Sequence, residues 1–211
     1  MNSRIDHIVI GAANLISGTK ILETKLSTKF SPGGEHIIMG THNKLLKLQS
    51  NIYLEVIATN PNISKPFRQR WFSLDESSIR EKIKKSPRLL CWVLEVDNLE
   101  DSVKQCGYNP GEILQLSRDN LTWKVTIPSD GKLVENGVLP VLIEWPRNQH
   151  PSKNLNNSKV SINKISLFHP EPYKIKSIIS NLIESDLIHV SEGFPKMELI
   201  LTTQNKKVVI V

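Results

Sequence analysis

The stretch "HIVIGAANL", residues 7–15, and its echo "CWVLEVDNL", residues 91–99, decide how this chain reads. Each is an apolar run of strand character and a short polar break, followed by Asn-Leu, with Asn14 or Asn98 placed to cap a helix that starts at the leucine. The two lie 84 residues apart. Farther on, "YLEVI" (53–57) has a counterpart in "LIEWP" (142–146), each a late strand with one glutamate, and Glu55 and Glu144 are 89 apart. Two nearly equal intervals imply a duplicated unit.

Working outward, the first copy (1–60) reads as a strand near 4–11, a helix near 14–26, a Gly-rich turn at Gly33-Gly34, and strands near 43–49 and 52–58. The second copy (89–148) reads as a strand at 89–96, a helix at 98–106, a turn at Pro110-Gly111 and a strand at 112–117. "TWKVTIP" then alternates with period two, and "PVLIEW" follows. Each copy is assigned a βαβββ unit. Residues 61–88 carry an inserted helix in "SLDESSIREKIKK", with Ser73 or Asp75 as its cap and Ile79 and Ile83 one turn apart. After the polar linker "RNQHPSKNLNNSK", residues 161–211 make a partial third module, βαββ. Its strand is "VSINKISLF", its helix buries Ile175, Ile178, Ile179, Leu182 and Ile183, and "MELILTT" and "KVVIV" close as a hairpin. The fold class is therefore α+β.

Bulk properties bound the function. The chain has 211 residues, enough to bury a sizeable core. No apolar run approaches the roughly 20 residues that span a bilayer, and no secretory leader pattern opens the sequence, so the expected location is cytoplasmic and no membrane partner is expected. The two cysteines, Cys91 and Cys106, have no zinc spacing and imply no disulfide framework. The net charge of +6 is carried by scattered lysines, which read as a solvated face that also attracts small anions, and not as a nucleic-acid surface. Nucleophile elbow, P-loop, dinucleotide fingerprint and HExxH are all missing from the sequence.

A duplicated βαβββ unit with a histidine on its first strand and a glutamate on its last resembles the vicinal oxygen chelate (glyoxalase/bleomycin-resistance/extradiol dioxygenase) superfamily. Within it, "IDHIVIGAANL", "GGEHIIMGTHNKLLKL…YLEVIA", "LSRDNLTWKV", "LPVLIEW" and "HPS" are similar to the glyoxalase-like domain family. The resemblance implies two modules curled around a shared cavity and a divalent metal held by inward residues of their first and last strands. Carried over, the four ligand positions are His7, Glu55, Cys91 and Glu144. Cys91 departs from the pattern, since an apolar thiol on a strand is more often a small buried side chain. That leaves a metal site of His7, Glu55 and Glu144, with Glu55 or Glu144 as general base.

Each candidate has a plainer reading beside it. His7 at a strand start could be structural, and Glu55 and Glu144, each between apolar neighbours, could sit in salt bridges to a lysine or Arg118. His36 and Asn43 are expected to line the pocket, with Asn43 otherwise stabilising a turn. Arg118 and Trp123 would hold a small anionic or carbonyl-bearing ligand, or else form a surface ion pair and a core aromatic. His150 in "HPS" is expected to cap a loop, His42 to lie at the surface, and Trp92 to pack in the core opposite Cys91. The expected function is a metal-dependent lyase, isomerase or oxygenase acting on a small molecule. The rival is a binding or sequestering protein of the same fold without metal. A homodimer is compatible with this plan but not required by it.

Overall fold

In the computed structural model, residues 2–147, 149–204 and 206–211 are described; position 148, the expected end of the second module, and position 1, the expected start of the first, lie outside them. The first unit comprises β1 (Ser3–Gly11), α1 (Leu15–Leu26), β2 (Ser31–His36), β3 (Thr41–Lys47) and β4 (Tyr53–Thr59). The helix α2 (Ser77–Lys85) follows. The second unit comprises β5 (Arg88–Val96), α3 (Leu99–Gln105), β6 (Glu112–Arg118), β7 (Leu121–Ile127) and β8 (Val141–Glu144). The tail adds β9 (Ser161–His169), α4 (Pro172–Leu182), β10 (Ile188–Glu192), β11 (Lys196–Thr202) and β12 (Lys207–Ile210).

The helices start where the asparagines place them. Asn14 Oδ1 accepts the N–H of Ser17 at 3.0 Å and Asn98 Oδ1 that of Asp101 at 2.9 Å, satisfying donors that the first helical turn cannot. The α2 start is different. Neither Ser73 nor Asp75 caps it: Ser73 Oγ accepts the N–H of Leu133 at 3.0 Å, and Asp75 is held by Arg70 through its N–H at 2.9 Å and its Nη1 at 2.7 Å.

Eight strands form one sheet in the order β2-β3-β4-β1-β5-β8-β7-β6. Within each unit the first and last strands pair in parallel, and β1 and β5 join the units antiparallel at the centre. That central pairing shifts register twice, between Ile5 and His7 and again between Val9 and Ile10. Strand alternation sorts the apolar residues into two cores. Ile8, Ile10, Leu54, Trp92 and Leu94 face the helices and the tail, whereas Val9, Ile57, Val93, Val125 and Ile143 face the concave side with Trp71 and Phe72. Trp92 is fully buried in the first core, and its Nε1 donates to the Val138 carbonyl at 2.9 Å.

Gly33 and Gly34 do not make the expected turn. They lie inside β2, and neither has a positive φ. They are glycines because something passes close. A Cβ on Gly33 would stand 2.4 Å from the Asn43 carbonyl oxygen, and one on Gly34 would stand 2.5 Å from Cδ of Arg118. Arg118 belongs to β6, the opposite edge of the sheet, so this crossing curls the sheet into a half-barrel. The tail forms a second, four-stranded sheet, β10-β9-β11-β12. It contains the expected β11–β12 hairpin and one further strand, β10, parallel to β9. No helix among the described residues is long and apolar enough to cross a membrane.

Candidate functional site: a histidine between two carboxylates

The site begins with an irregularity in β1. Ile5 pairs with Leu94 and His7 with Val93, so Asp6 is the extra residue of a β-bulge. A bulge re-aims a side chain that regular alternation would send to the other face. The Asp6 carboxylate is thereby turned to accept a hydrogen bond from His7 Nδ1. Its other oxygen accepts from Trp145 Nε1 at 2.9 Å and from His150 Nε2 at 2.9 Å. The backbone N–H of Ser152 donates to His150 Nδ1 at 3.2 Å, which makes Nδ1 the acceptor and Nε2 the donor to Asp6. His150 also caps the short turn Pro151–Asn154, as expected.

His7 stacks on Tyr53 at 4.6 Å between ring centres and 13° between planes, and its Nε2 lies 3.4 Å from Glu55 Oε2. Asn43 Nδ2 donates to the other Glu55 oxygen, and Asn43 Oδ1 accepts the N–H of Gly34 at 2.8 Å. Burial by itself would discharge each member of this chain. For His7 the hydrogen bonds to Asp6 and Glu55 outweigh it and hold the imidazole up at about 9. For Glu55 the bond and charge of His7, with Asn43, outweigh burial and hold the carboxyl down at about 2. In Asp6, too, the bonds from His150 and His7 overcome burial and keep the carboxyl far below its usual range. At neutral pH an imidazolium therefore sits between two carboxylates.

Beside this chain lies a cavity of about 30 Å³, lined by His7, Glu55, Tyr53, His36, Arg118 and Trp123, with Trp71, Phe72, Trp145 and the apolar Val93, Val125 and Ile143. His36 bonds Thr41 Oγ1 through Nδ1 at 3.1 Å and meets Trp71 and Trp123 edge-on at 4.9 and 5.9 Å. Burial pushes it down to about 4, so it is neutral. Arg118 is only 8% exposed, and among the described residues no hydrogen-bond or ion-pair partner meets its guanidinium. The Nε1 of Trp71 is also buried without a partner.

The structure brings His7, Glu55, His36, Arg118 and Trp123 to one cavity but does not bring Glu144 or Asn43 there. Ile143 and Trp145 line the cavity, and Glu144, between them on β8, points to the opposite face. Glu144 Oε2 instead accepts the N–H of Leu99 at 2.7 Å at the start of α3, and Oε1 lies 3.7 Å from Lys124 Nζ. A carboxylate there complements the helix dipole. Asn43 stands behind Glu55 and positions it. Cys91 is fully buried in the concave core, where burial and the nearby Glu55 charge raise its thiol well above the ordinary value.

The residues do not fit a divalent metal at the positions the resemblance implies. Only His7 and Glu55 converge; Cys91 is an apolar thiol and Glu144 faces away, short of the three protein ligands a catalytic site uses. Another group, Asp6, Glu95 and His150, has ligand atoms within 4.8 Å of one another. Its atoms are already committed. Arg4 takes both Glu95 oxygens at 2.8 and 2.9 Å, and the His150 nitrogen facing Asp6 carries the ring proton.

Sequence reasoning did not assign Asp6, Tyr53, Trp71, Phe72 or Trp145 to the site and gave His150 only its capping role. Tyr53 was within reach, since it shares a strand face with Glu55. The others depend on a bulge, on the inserted segment and on the end of β8.

The family profile described as "Glyoxalase-like domain" matches residues 5–183. No curated protein matches the chain. Among solved structures, a hypothetical protein from Staphylococcus aureus is 17% identical, with 99% of this chain and 84% of that one covered at a TM-score of 0.58. A methylmalonyl-CoA epimerase in complex with methylmalonyl-CoA and NH4+ is 15% identical, covering 72% of this chain and 100% of that one at 0.45. The epimerase from Mycobacterium tuberculosis is 19% identical, covering 67% and 87% at 0.40. At these identities the likeness concerns the fold. With the family profile spanning most of its length and both βαβββ units in one curled sheet, the chain belongs to the glyoxalase-like domain family.

Proposed function

We propose that the concave face is a small-molecule binding site that works without a divalent metal, the protein binding or sequestering its ligand rather than transforming it. The observation that carries this reading is geometric: of the implied ligands only His7 and Glu55 converge, and they are tied to each other, to Asp6 and to Asn43, while Glu144 faces away; the direction of the pKa shifts agrees with it. A general acid or base works best with a pKa near the operating pH. His7 at about 9, Glu55 at about 2 and His36 at about 4 are each locked in one state at neutrality. Such groups act as fixed charges and dipoles that orient a ligand. His36, Arg118 and Trp123 stand on the ligand side, with Asn43 positioning Glu55 behind them.

The competing reading, a metal-dependent lyase, isomerase or oxygenase, requires donors that Cys91 and Glu144 do not supply. Metal analysis of protein purified without chelators, on the wild type, His7→Ala and Glu55→Gln, separates the two. Sub-stoichiometric metal in the wild type, with melting temperature unmoved by added Mg2+, Mn2+ or Zn2+, is the expected result. Stoichiometric metal that disappears in both variants would overturn the proposal.

A further inference from the structure

Among the described residues, Arg118 is the one strongly basic side chain that the fold buries at the cavity, and no partner among them meets its guanidinium. Its stem is pinned across Gly34, where no side chain would fit beside it. A guanidinium carries five N–H donors in a planar fork and cannot discharge by losing a proton. Charges buried this deeply are ordinarily paired. Of the carboxylates nearby, Glu55 at the same cavity is engaged by His7 and Asn43, and Asp119, whose Oδ2 passes the same Gly34, makes no hydrogen bond or ion pair with the guanidinium. Trp71, which also lines the cavity, carries a second donor: its Nε1 is fully buried without a partner, whereas the Arg118 nitrogens keep some accessible surface. Both are donors only, so what completes them must be an acceptor.

We infer that the cavity receives a planar carboxylate with an apolar body, the carboxylate forked by Arg118 and met by the Trp71 indole N–H, the body lying among Phe72, Trp123 and Ile143. This rests on the binding-site reading above and names its ligand class. A carboxylate matches the fork through two parallel hydrogen bonds, which a neutral amide or ketone offers only in part. The free space of about 30 Å³ suits the carboxylate head, so the apolar body enters only as the wall around Trp123 and Ile143 gives way.

The test uses the full chain, with benzoate as probe and benzamide as its neutral counterpart, followed by calorimetry and by the indole N–H resonance of Trp71. Benzoate is expected to bind at least 10-fold more tightly than benzamide and to shift the Trp71 resonance. Arg118→Met should weaken benzoate by about 100-fold, and Arg118→Lys, which keeps the charge but not the fork, should lie between. The empty Arg118→Met protein should melt no lower than the wild type, because an unpaired buried cation has gone; a lower melting temperature would mean that Arg118 has a structural partner and would overturn the inference. Equal binding of benzoate and benzamide, insensitive to Arg118→Met, would sink the carboxylate while leaving a binding cavity. Absence of benzoate binding altogether sinks it too, and stoichiometric metal in the same sample would then remove the binding-site reading as well.

Discussion

Replacing Asp6 by Asn tests the central arrangement of the site. The carboxylate accepts from three N–H groups, those of His7, Trp145 and His150. An asparagine can keep its oxygen toward Trp145 and His150, but its NH2 then faces the N–H of His7. The imidazolium loses both an acceptor and a counter-charge in a place where burial already disfavours it. Removing one partner of a buried ion pair costs roughly 3–5 kcal/mol, and the two retained acceptor bonds place this change near the lower figure, about 3 kcal/mol. The rise of His7 from 6.5 to about 9 comes from Asp6 and Glu55 together, so only part of it goes with the Asp6 charge. Urea denaturation at pH 6 would measure the loss, and NMR titration of His7 should find it falling well below 9. A loss under about 1 kcal/mol, the scale of one ordinary hydrogen bond, with His7 still titrating near 9, would refute the reasoning.

Stability should have a pH plateau bounded by the same groups. His7 is raised when folded, so its contribution is full below its ordinary 6.5 and lost as pH climbs toward 9, about 3 kcal/mol in all. Glu55 is lowered, so its contribution is full above 4.5 and lost as pH falls toward 2, with Asp6 adding to the acid loss. Denaturation midpoints across pH 3 to 10 should peak between these limits, and the alkaline decline should be absent from His7→Ala. Glu144→Gln should leave metal content and ligand binding unchanged while costing about 1 kcal/mol, since the group caps α3 and faces away from the cavity. An effect on ligand affinity above threefold would contradict that placement.

The duplicated units were legible because β1, β5 and their helices carry strong local signals: apolar runs followed by an asparagine whose side chain caps the helix. The strands β2 and β10 were not. "SPGGEH" holds no apolar residue and is ordered by pairing with β3, while β10 lies on an exposed edge. At the site, parity within a single strand placed His7 and Glu55 on the cavity side. Parity between the copies misled. Val9 pairs with Glu55 and Val93 with Val141, so the counterpart of Glu55 is Val141, and an interval of 89 lands on the other face. Asp6 was hidden because a bulge leaves no mark in a hydrophobic pattern.

The two register shifts in the central pairing have a consequence for the symmetry of the molecule. The first puts an extra residue at Asp6 of β1; the second puts one at Leu90 of β5, and these positions are 84 apart, the spacing of the duplication itself. The same irregularity thus recurs at equivalent positions of both copies, and the pseudo-twofold axis passes between His7–Val9 and Cys91–Val93. One copy fills this position with the buried polar pair Asp6-His7 and the other with Leu90-Cys91 of the concave apolar core. The half-barrel therefore contains two sockets of one backbone design, one filled by a polar pair and one by an apolar pair.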